Sequence, residues 1–263
     1  DSYRELEVVN AANTQHLETY KSFLYNRLQR KGSDSKDIHR LAARDRHVFA
    51  ALMLAHGHGD GLVTGATRKS AHVLDQINHV FDANAKGGAT GITALLHKGR
   101  IVLIGDTLVH EWPDAIDLAN IAESGARVAR HLGLEPRVAF VSFSTFGYPV
   151  SERAEKMHMA PRVLDERGVD FEYEGEMTVD VALNAESQKN YPFSRLTGPA
   201  NVLVVPARHS ASISVKLMQE MAGATVIGPI LTGLDKSIQI ASSTSTTNDI
   251  LNMAILAACK VGG

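Results

Sequence analysis

Apolar residues recur at helical spacing at Leu17, Tyr20, Phe23, Leu24 and Leu28, which predicts a helix from about His16 to Leu28. Arg27, Arg30 and Lys31 cluster at its C-terminal end, where cations complement the helix dipole, and Gly32 stops it. A strand-like stretch, Leu6-Glu7-Val8-Val9-Asn10, precedes it. Ser35 to Leu41 and Asp45 to His56 read as further helices, the second carrying Val48, Phe49, Leu52, Met53 and Ala55. Leu62-Val63 forms a short strand core between a Gly-rich turn, Gly57 to Gly61, and a second turn at Thr64-Gly65. A helix is predicted from about Ser70 to Phe81. Lys86 to Gly91 reads as a hinge, and strands Ile92 to His97 and Arg100 to Thr107 flank Lys98-Gly99 as a hairpin. Pro113-Asp114 opens a helix that runs to about Leu132, with Pro near its first turn, and ends at Gly133.

From Arg137 onward the rhythm is strand then helix. Strands are predicted at Arg137 to Ser144, Asp170 to Gly175, Asn201 to Pro206 and Ala224 to Leu231. Helices are predicted at about Glu152 to Arg167, Val179 to Glu186 and Ala211 to Met221. Such alternation predicts an α/β fold, a mostly parallel sheet with helices on both faces. Ligands of such sheets bind beyond the carboxyl ends of the strands, which places the loops after Ser144, Glu174, Pro206 and Leu231 along one edge. Thr232-Gly233-Leu234 is a second hinge, so two lobes are expected. Residues 1–91 and 233–263 would form the first lobe and residues 92–232 the second, with a cleft between them.

The polar pattern is densest at Ser242-Ser243-Thr244-Ser245-Thr246-Thr247, six hydroxyls before Asn248-Asp249 and an apolar, Ala-rich final helix. Such residues cap helix starts, and the same free N–H groups can hold an anion, so a plain cap and the floor of a ligand cleft both remain open. Arg68 and Lys69 bring positive charge near the Thr64-Gly65 turn. His56 and His58 form a His-x-His pair without a third ligand at convincing spacing, which favours a loop role over a metal site. No metal site is expected.

Composition narrows the classes. The 263 residues are 44% hydrophobic and 6% aromatic, which suits aliphatic helices packed on a buried sheet. A net charge of −2 gives no electrostatic footprint for nucleic acid or an anionic membrane, and no apolar run approaches the roughly 20 residues of a bilayer span. The single cysteine, Cys259, excludes an internal disulfide framework and fits a cytoplasmic location; a small buried thiol is its expected role. The chain starts at Asp1 without methionine and enters a strand-like stretch at once, which suggests a fragment of a longer polypeptide.

Several segments in order resemble phosphate acetyltransferases: Asp60 to Gly65, Glu135 to Thr145, Gly175-Glu176-Met177, Gly198 to Leu203, Gly228 to Leu234, and Asp249-Ile250. The usual first βα segment of that family has no counterpart here. A narrower resemblance is to the C-terminal acetyltransferase-like part of large NADP-dependent malic enzymes. It is carried by Phe23 to Gly32, Ser144 to Gly147, Val163 to Arg167, Val169 to Met177 and Leu196 to Leu203. The resemblance implies a two-lobed α/β/α fold of the phosphotransacetylase/isocitrate dehydrogenase-like kind. It also implies that this part binds acetyl-CoA or CoA as an effector and dimerises, within a higher homo-oligomer of the full protein. Its partner would be the malic enzyme part of the same polypeptide, where NADP and a divalent metal would bind for oxidative decarboxylation of malate to pyruvate.

Acetyl transfer needs a base for the CoA thiol, cationic donors for phosphate and the developing oxyanion, and a cleft for both substrates. Asp249 matches the family's aspartate and Ser242 its serine, but Ser243 stands where the family has an arginine. A second family arginine falls on Asp75, and a cysteine of some members falls on Thr107. Losing one cationic oxyanion donor costs roughly 10²–10³ in rate. No catalytic residues are therefore expected to act here. The ligand-binding residues expected are Thr64, Gly65, Arg68, Lys69, Thr107, Ser142, Ser144, Ser242, Ser243, Thr244 and Asp249. The reading is an allosteric regulatory domain, inactive alone as an acetyltransferase. The alternatives are an active phosphate acetyltransferase making acetyl phosphate and CoA, and an oligomerisation module without ligand.

Overall fold

The computed structural model describes residues 7–82, 88–150 and 152–261. Several of its helices begin where the sequence supplies a cap. Helix α1 (Leu17–Leu28) is followed by α2 (Ser35–Arg44), where Asp34 accepts the backbone N–H groups of Lys36 and Asp37, and by α3 (Arg46–Ala55), capped by Asp45. A 3₁₀ turn, Gln29–Lys31, ends at Gly32 in the left-handed conformation. Then follow β1 (Leu62–Gly65), α4 (Ser70–Ile77), β2 (Thr90–His97), β3 (Arg100–Gly105), α5 (Ala115–His131), β4 (Arg137–Val141), α6 (Glu152–Arg167) and β5 (Glu172–Met177). The chain closes with α7 (Val179–Leu183), α8 (Ala185–Gln188), β6 (Val202–Val204), α9 (Arg208–Ala222), β7 (Thr225–Thr232), β8 (Ile238–Ala241) and α10 (Thr247–Ala258).

The six-stranded sheet has the order β5-β4-β6-β3-β2-β7, and β1 pairs with β8 in a separate two-stranded sheet. The pairs β5–β4, β4–β6, β6–β3 and β1–β8 are parallel. The β2–β3 hairpin and the β2–β7 pair are antiparallel. Alternation along the strands sends side chains to opposite faces. Leu103, Val138, Phe140, Val202 and Val204 pack with Leu118, Ile121 and Ala122 of α5 and Met157 and Leu164 of α6. Ile104, Ala139, Val141 and Leu203 pack with Val181 of α7 and Ala211 and Val215 of α9. A further core joins α1–α4 to Ile238 and Ile240 of β8 and takes in Leu108 from the loop after β3. Met253 and Leu256 of α10 join the core beside α5 and α6.

Several expectations from the sequence are corrected. Residues 7–10 form no strand: the Asn10 side chain instead accepts the Ala12 N–H to start a 3₁₀ turn, Ala11–Asn13. Helix α4 ends at Ile77 rather than Phe81. Pro113 precedes the N-cap of α5, which is Asp114, closed reciprocally by Asp117. Strand β8 was not anticipated. Its Gln239 is fully buried, and the side-chain amide accepts from Leu231 N–H and donates to the Leu231 and Val261 carbonyls. Cys259 is the C-cap of α10 and exposed, not a buried thiol. Of the first expected hinge, residues 86–91, residues 86 and 87 lie outside the described residues, and Thr90 and Gly91 already belong to β2. Among the described residues, no helix is long and apolar enough to cross a membrane.

Candidate functional site

The polar run after β8 splits into distinct jobs. Thr246 is the N-cap of α10, and its hydroxyl accepts the Asp249 N–H at 3.2 Å. In return Asp249 Oδ2 accepts the Thr246 N–H at 2.8 Å and the Thr246 hydroxyl at 2.9 Å. Ser242 and Thr244 brace the turn, their hydroxyl oxygens 3.1 Å apart, and Ser242 O accepts the Ser245 N–H at 3.1 Å. Ser243 is exposed.

Against this turn lies a pocket of about 180 Å³ between α9 and α10. Ser242, Thr244, Ser245, Asp249 and Asn252 line it together with Gln219 of α9. Residues 226–228 of β7, with Ile240 and Met253, give an apolar base. Among the described residues no lysine or arginine lines this pocket, and Asp249 is its one carboxylate.

The pocket gathers three of the expected residues, Ser242, Thr244 and Asp249, and leaves the others elsewhere. Ser243 does not line it. Gly65 lies behind it, paired with Ala241 across the β1–β8 ladder at φ 111°; a Cβ there would fall 2.1 Å from the Ala241 carbonyl oxygen, so only glycine permits the approach. Thr64 is bonded to buried His47, Oγ1 to Nδ1 at 2.7 Å. Burial pushes the His47 pKa below its ordinary value, and the nearby charges of Arg46 and Arg68 add to this against Asp45. Arg68 and Lys69 are exposed and outside the pocket. Thr107 is bonded to Thr93, 2.8 Å between hydroxyl oxygens, and donates to Gly91 O at 3.2 Å. Neither Thr107 nor Thr93 lines the pocket.

Ser142 and Ser144 belong to a second cluster, at the carboxyl end of β4. Ser144 donates to Glu176 Oε1 at 2.9 Å, and its hydroxyl lies 3.4 Å from that of Ser142. Glu176 is fully buried; it also accepts the Gly147 N–H at 2.8 Å and sits 3.0 Å from His158 Nδ1. Burial raises the Glu176 pKa, but these hydrogen bonds outweigh it and hold the carboxyl below its usual value. A third polar centre follows β3. Buried Asp106 accepts N–H groups from Gly91, Leu108, Val109 and His110 and lies 2.8 Å from His110 Nδ1. Its hydrogen bond raises the His110 pKa against the opposing effect of burial.

Gln219, Asn252 and Gly228 were not singled out by sequence reasoning. Gln219 falls on an exposed position of α9 and carries no signal of its own, while Gly228 and Glu176 lie in segments quoted only for their resemblance. His56 and His58 do not converge on a metal: His56 Nδ1 meets Leu52 O at 2.8 Å and His58 Nδ1 meets the Tyr20 hydroxyl at 2.7 Å. Among the described residues, no group of three or more His, Cys, Asp or Glu side chains is placed to hold a metal ion.

Comparison with known proteins adds context to this geometry. The phosphate acetyl/butaryl transferase family matches residues 2–258. An NADP-dependent malic enzyme of Rhizobium meliloti (strain 1021) is 49% identical over 98% of the chain and 34% of its own length. A probable NADP-dependent malic enzyme of Rickettsia prowazekii is 39% identical over 96% of the chain and 34% of its length. A phosphate acetyltransferase of Bacillus subtilis is 30% identical over 88% of the chain and 72% of its length. The chain thus spans about a third of the length of the malic enzymes it matches. A phosphotransacetylase structure from Streptococcus pyogenes superposes with a TM-score of 0.90 at 24% identity, covering 98% of this chain and 79% of that one, a likeness of fold. By the extent of these matches, the chain belongs to the phosphate acetyl/butaryl transferase family.

Proposed function

We propose that this chain is an acetyl-CoA-binding regulatory domain of an NADP-dependent malic enzyme, and a poor acetyltransferase by itself. The observation that carries this reading is the pocket at the head of α10. It offers hydroxyls and side-chain amides to a ligand, yet no lysine or arginine among the described residues lines it. Acetyl transfer to phosphate needs cations for the phosphate and the developing oxyanion, and Asp249 is already engaged by Thr246. Such a site suits binding better than turnover. Residues 1–91 with 233–263, and residues 92–232, would act as two lobes, and a ligand favouring their closed arrangement would bias an attached catalytic part. Malate decarboxylation, with its NADP and divalent metal, would belong to that part. Dimerisation through this domain and a cytoplasmic location complete the proposal.

Calorimetry with acetyl-CoA and CoA, beside an assay of CoA acetylation by acetyl phosphate, tests it. Binding without appreciable turnover is the expected result. Robust turnover that Asp249→Ala abolishes would establish the second reading, an active phosphate acetyltransferase, which the Bacillus subtilis relative favours. No heat from either thioester or thiol would leave a module for assembly alone.

A further inference from the structure

Protein interiors are close-packed, with few voids larger than a water molecule. The larger sheet departs from this on one face. Opposite α5 and α6 it is covered by α9 and by α7, which is only five residues long. A cavity of about 330 Å³ remains between these helices and the strands. The strands contribute Leu95, Ile104, Val141, Leu203 and Val205, each 6% exposed or less. The helices contribute Val179 and Leu183 of α7 and Leu217 and Met218 of α9. The cavity shares no lining residue with the pocket at the head of α10.

Its charge lies at one place. His97 and Arg100, paired across the β2–β3 ladder, are the ionisable side chains of the lining among the described residues. Arg100 is exposed and donates one of its several N–H groups to Leu183 O at 3.2 Å. No carboxylate lines the cavity among the described residues; Asp180 borders the neighbouring groove that shares Arg100. A dry apolar cavity of roughly 150 Å³ takes up benzene, so this larger one has room for an aliphatic chain of roughly eight to ten carbons. Arginine stays charged throughout the physiological range and pairs well with a carboxylate. A second copy laid over exposed Ile213, Leu217 and Met221 would bury the outer face of α9 but leave the space between α9 and the strands empty.

We infer that this cavity is a binding site for a medium-chain aliphatic monocarboxylate. The chain lies between α7, α9 and the sheet, and the carboxylate meets Arg100 and His97.

The test is calorimetry of the 263-residue chain with butanoate, hexanoate, octanoate and decanoate, each below its micellar concentration, and with octanol. Affinity is expected to rise roughly 3–4-fold per methylene from butanoate to octanoate, the transfer value of a buried methylene. Arg100→Gln should weaken octanoate roughly 5–10-fold and leave octanol unchanged. Ser214→Phe places a ring in the cavity and should abolish binding of both, with melting temperature retained. No heat from decanoate, affinity independent of chain length, or unaltered octanoate affinity in Arg100→Gln each overturns the inference. A dimer that Ser214→Phe splits, in a chain that octanoate does not bind, would assign the face to a second copy. Pelleting with phosphatidylglycerol vesicles, without heat from the monomeric acids, would assign it to a lipid surface; either result overturns the inference.

Discussion

Thr246 and Asp249 satisfy each other at the start of α10, hydroxyl to N–H at 3.2 Å and carboxylate to N–H at 2.8 Å. Removing an N-cap hydroxyl typically costs about 1 kcal/mol. Thr246→Ala and Asp249→Ala are each expected to destabilise by about that amount. Because the two bonds form one reciprocal unit, the double variant should lose less than the sum. Urea unfolding of the four proteins measures this, and strict additivity would show that the caps act independently.

Gly65 makes a sharper prediction. A methyl group there would fall 2.1 Å from the Ala241 carbonyl oxygen, on a residue held at φ 111°. Gly65→Ala should cost about 3 kcal/mol or more, through overpacking and backbone strain together. The damage should reach the pocket, since Ala241 lines it beside Ser242. Thermal unfolding and acetyl-CoA titration of one variant read both effects.

Glu176 anchors the turn after β4 through Ser144, Gly147 and His158. Glu176→Ala leaves those groups without their acceptor in the interior and should cost about 3–5 kcal/mol, while Glu176→Gln, which keeps one acceptor, should cost less. The folded carboxyl has a pKa below its ordinary 4.5. Its contribution is therefore present above that value and lost as pH falls through the folded pKa. Chemical unfolding at neutral pH and in acid checks this: the destabilisation of each variant relative to the unsubstituted chain should shrink in acid.

His110 has the opposite sign. Asp106 raises its pKa above the ordinary 6.5, so the folded protein holds the proton more tightly than the unfolded chain. The stability gained is fully present below 6.5 and fades as pH rises through the folded value. Asp114 and Asp117 also face this imidazole and act in the same direction. The destabilisation caused by His110→Ala should be larger near pH 6 than near pH 9, as measured by urea unfolding at each. An unchanged difference would mean that the pair carries no proton linkage.

The helices and most strands are legible in the sequence because their apolar period and caps agree. Asp34, Asp45 and Asp114 each sit where a helix begins, and each accepts the expected N–H. Strand β8 was hidden because its centre is a glutamine, and only Leu231 and Val261, distant along the chain, make Gln239 a core residue. Residues 7–10 looked like a strand by composition, yet Asn10 offers its side chain to a local N–H and starts a turn. At the site, Ser242, Thr244 and Asp249 are contiguous enough to be read as a group. Gln219 joins them only because α9 and α10 both pack against the edge strand β7, which no local pattern encodes. Ser142 and Ser144 were grouped with them by resemblance, but Glu176 draws them into a cluster of their own.

The pairing of β1 with β8 carries a consequence for biosynthesis. All six strands of the larger sheet lie between Thr90 and Thr232 and can assemble once that stretch has left the ribosome. Strand β1 emerges earlier but finds its partner only when Ile238–Ala241 is made, after every strand of the larger sheet. Helices α1 to α4 must therefore wait for the last strand to cover Ile238 and Ile240, with their core open in the meantime. The pocket is finished last of all, by the same few residues that close the fold.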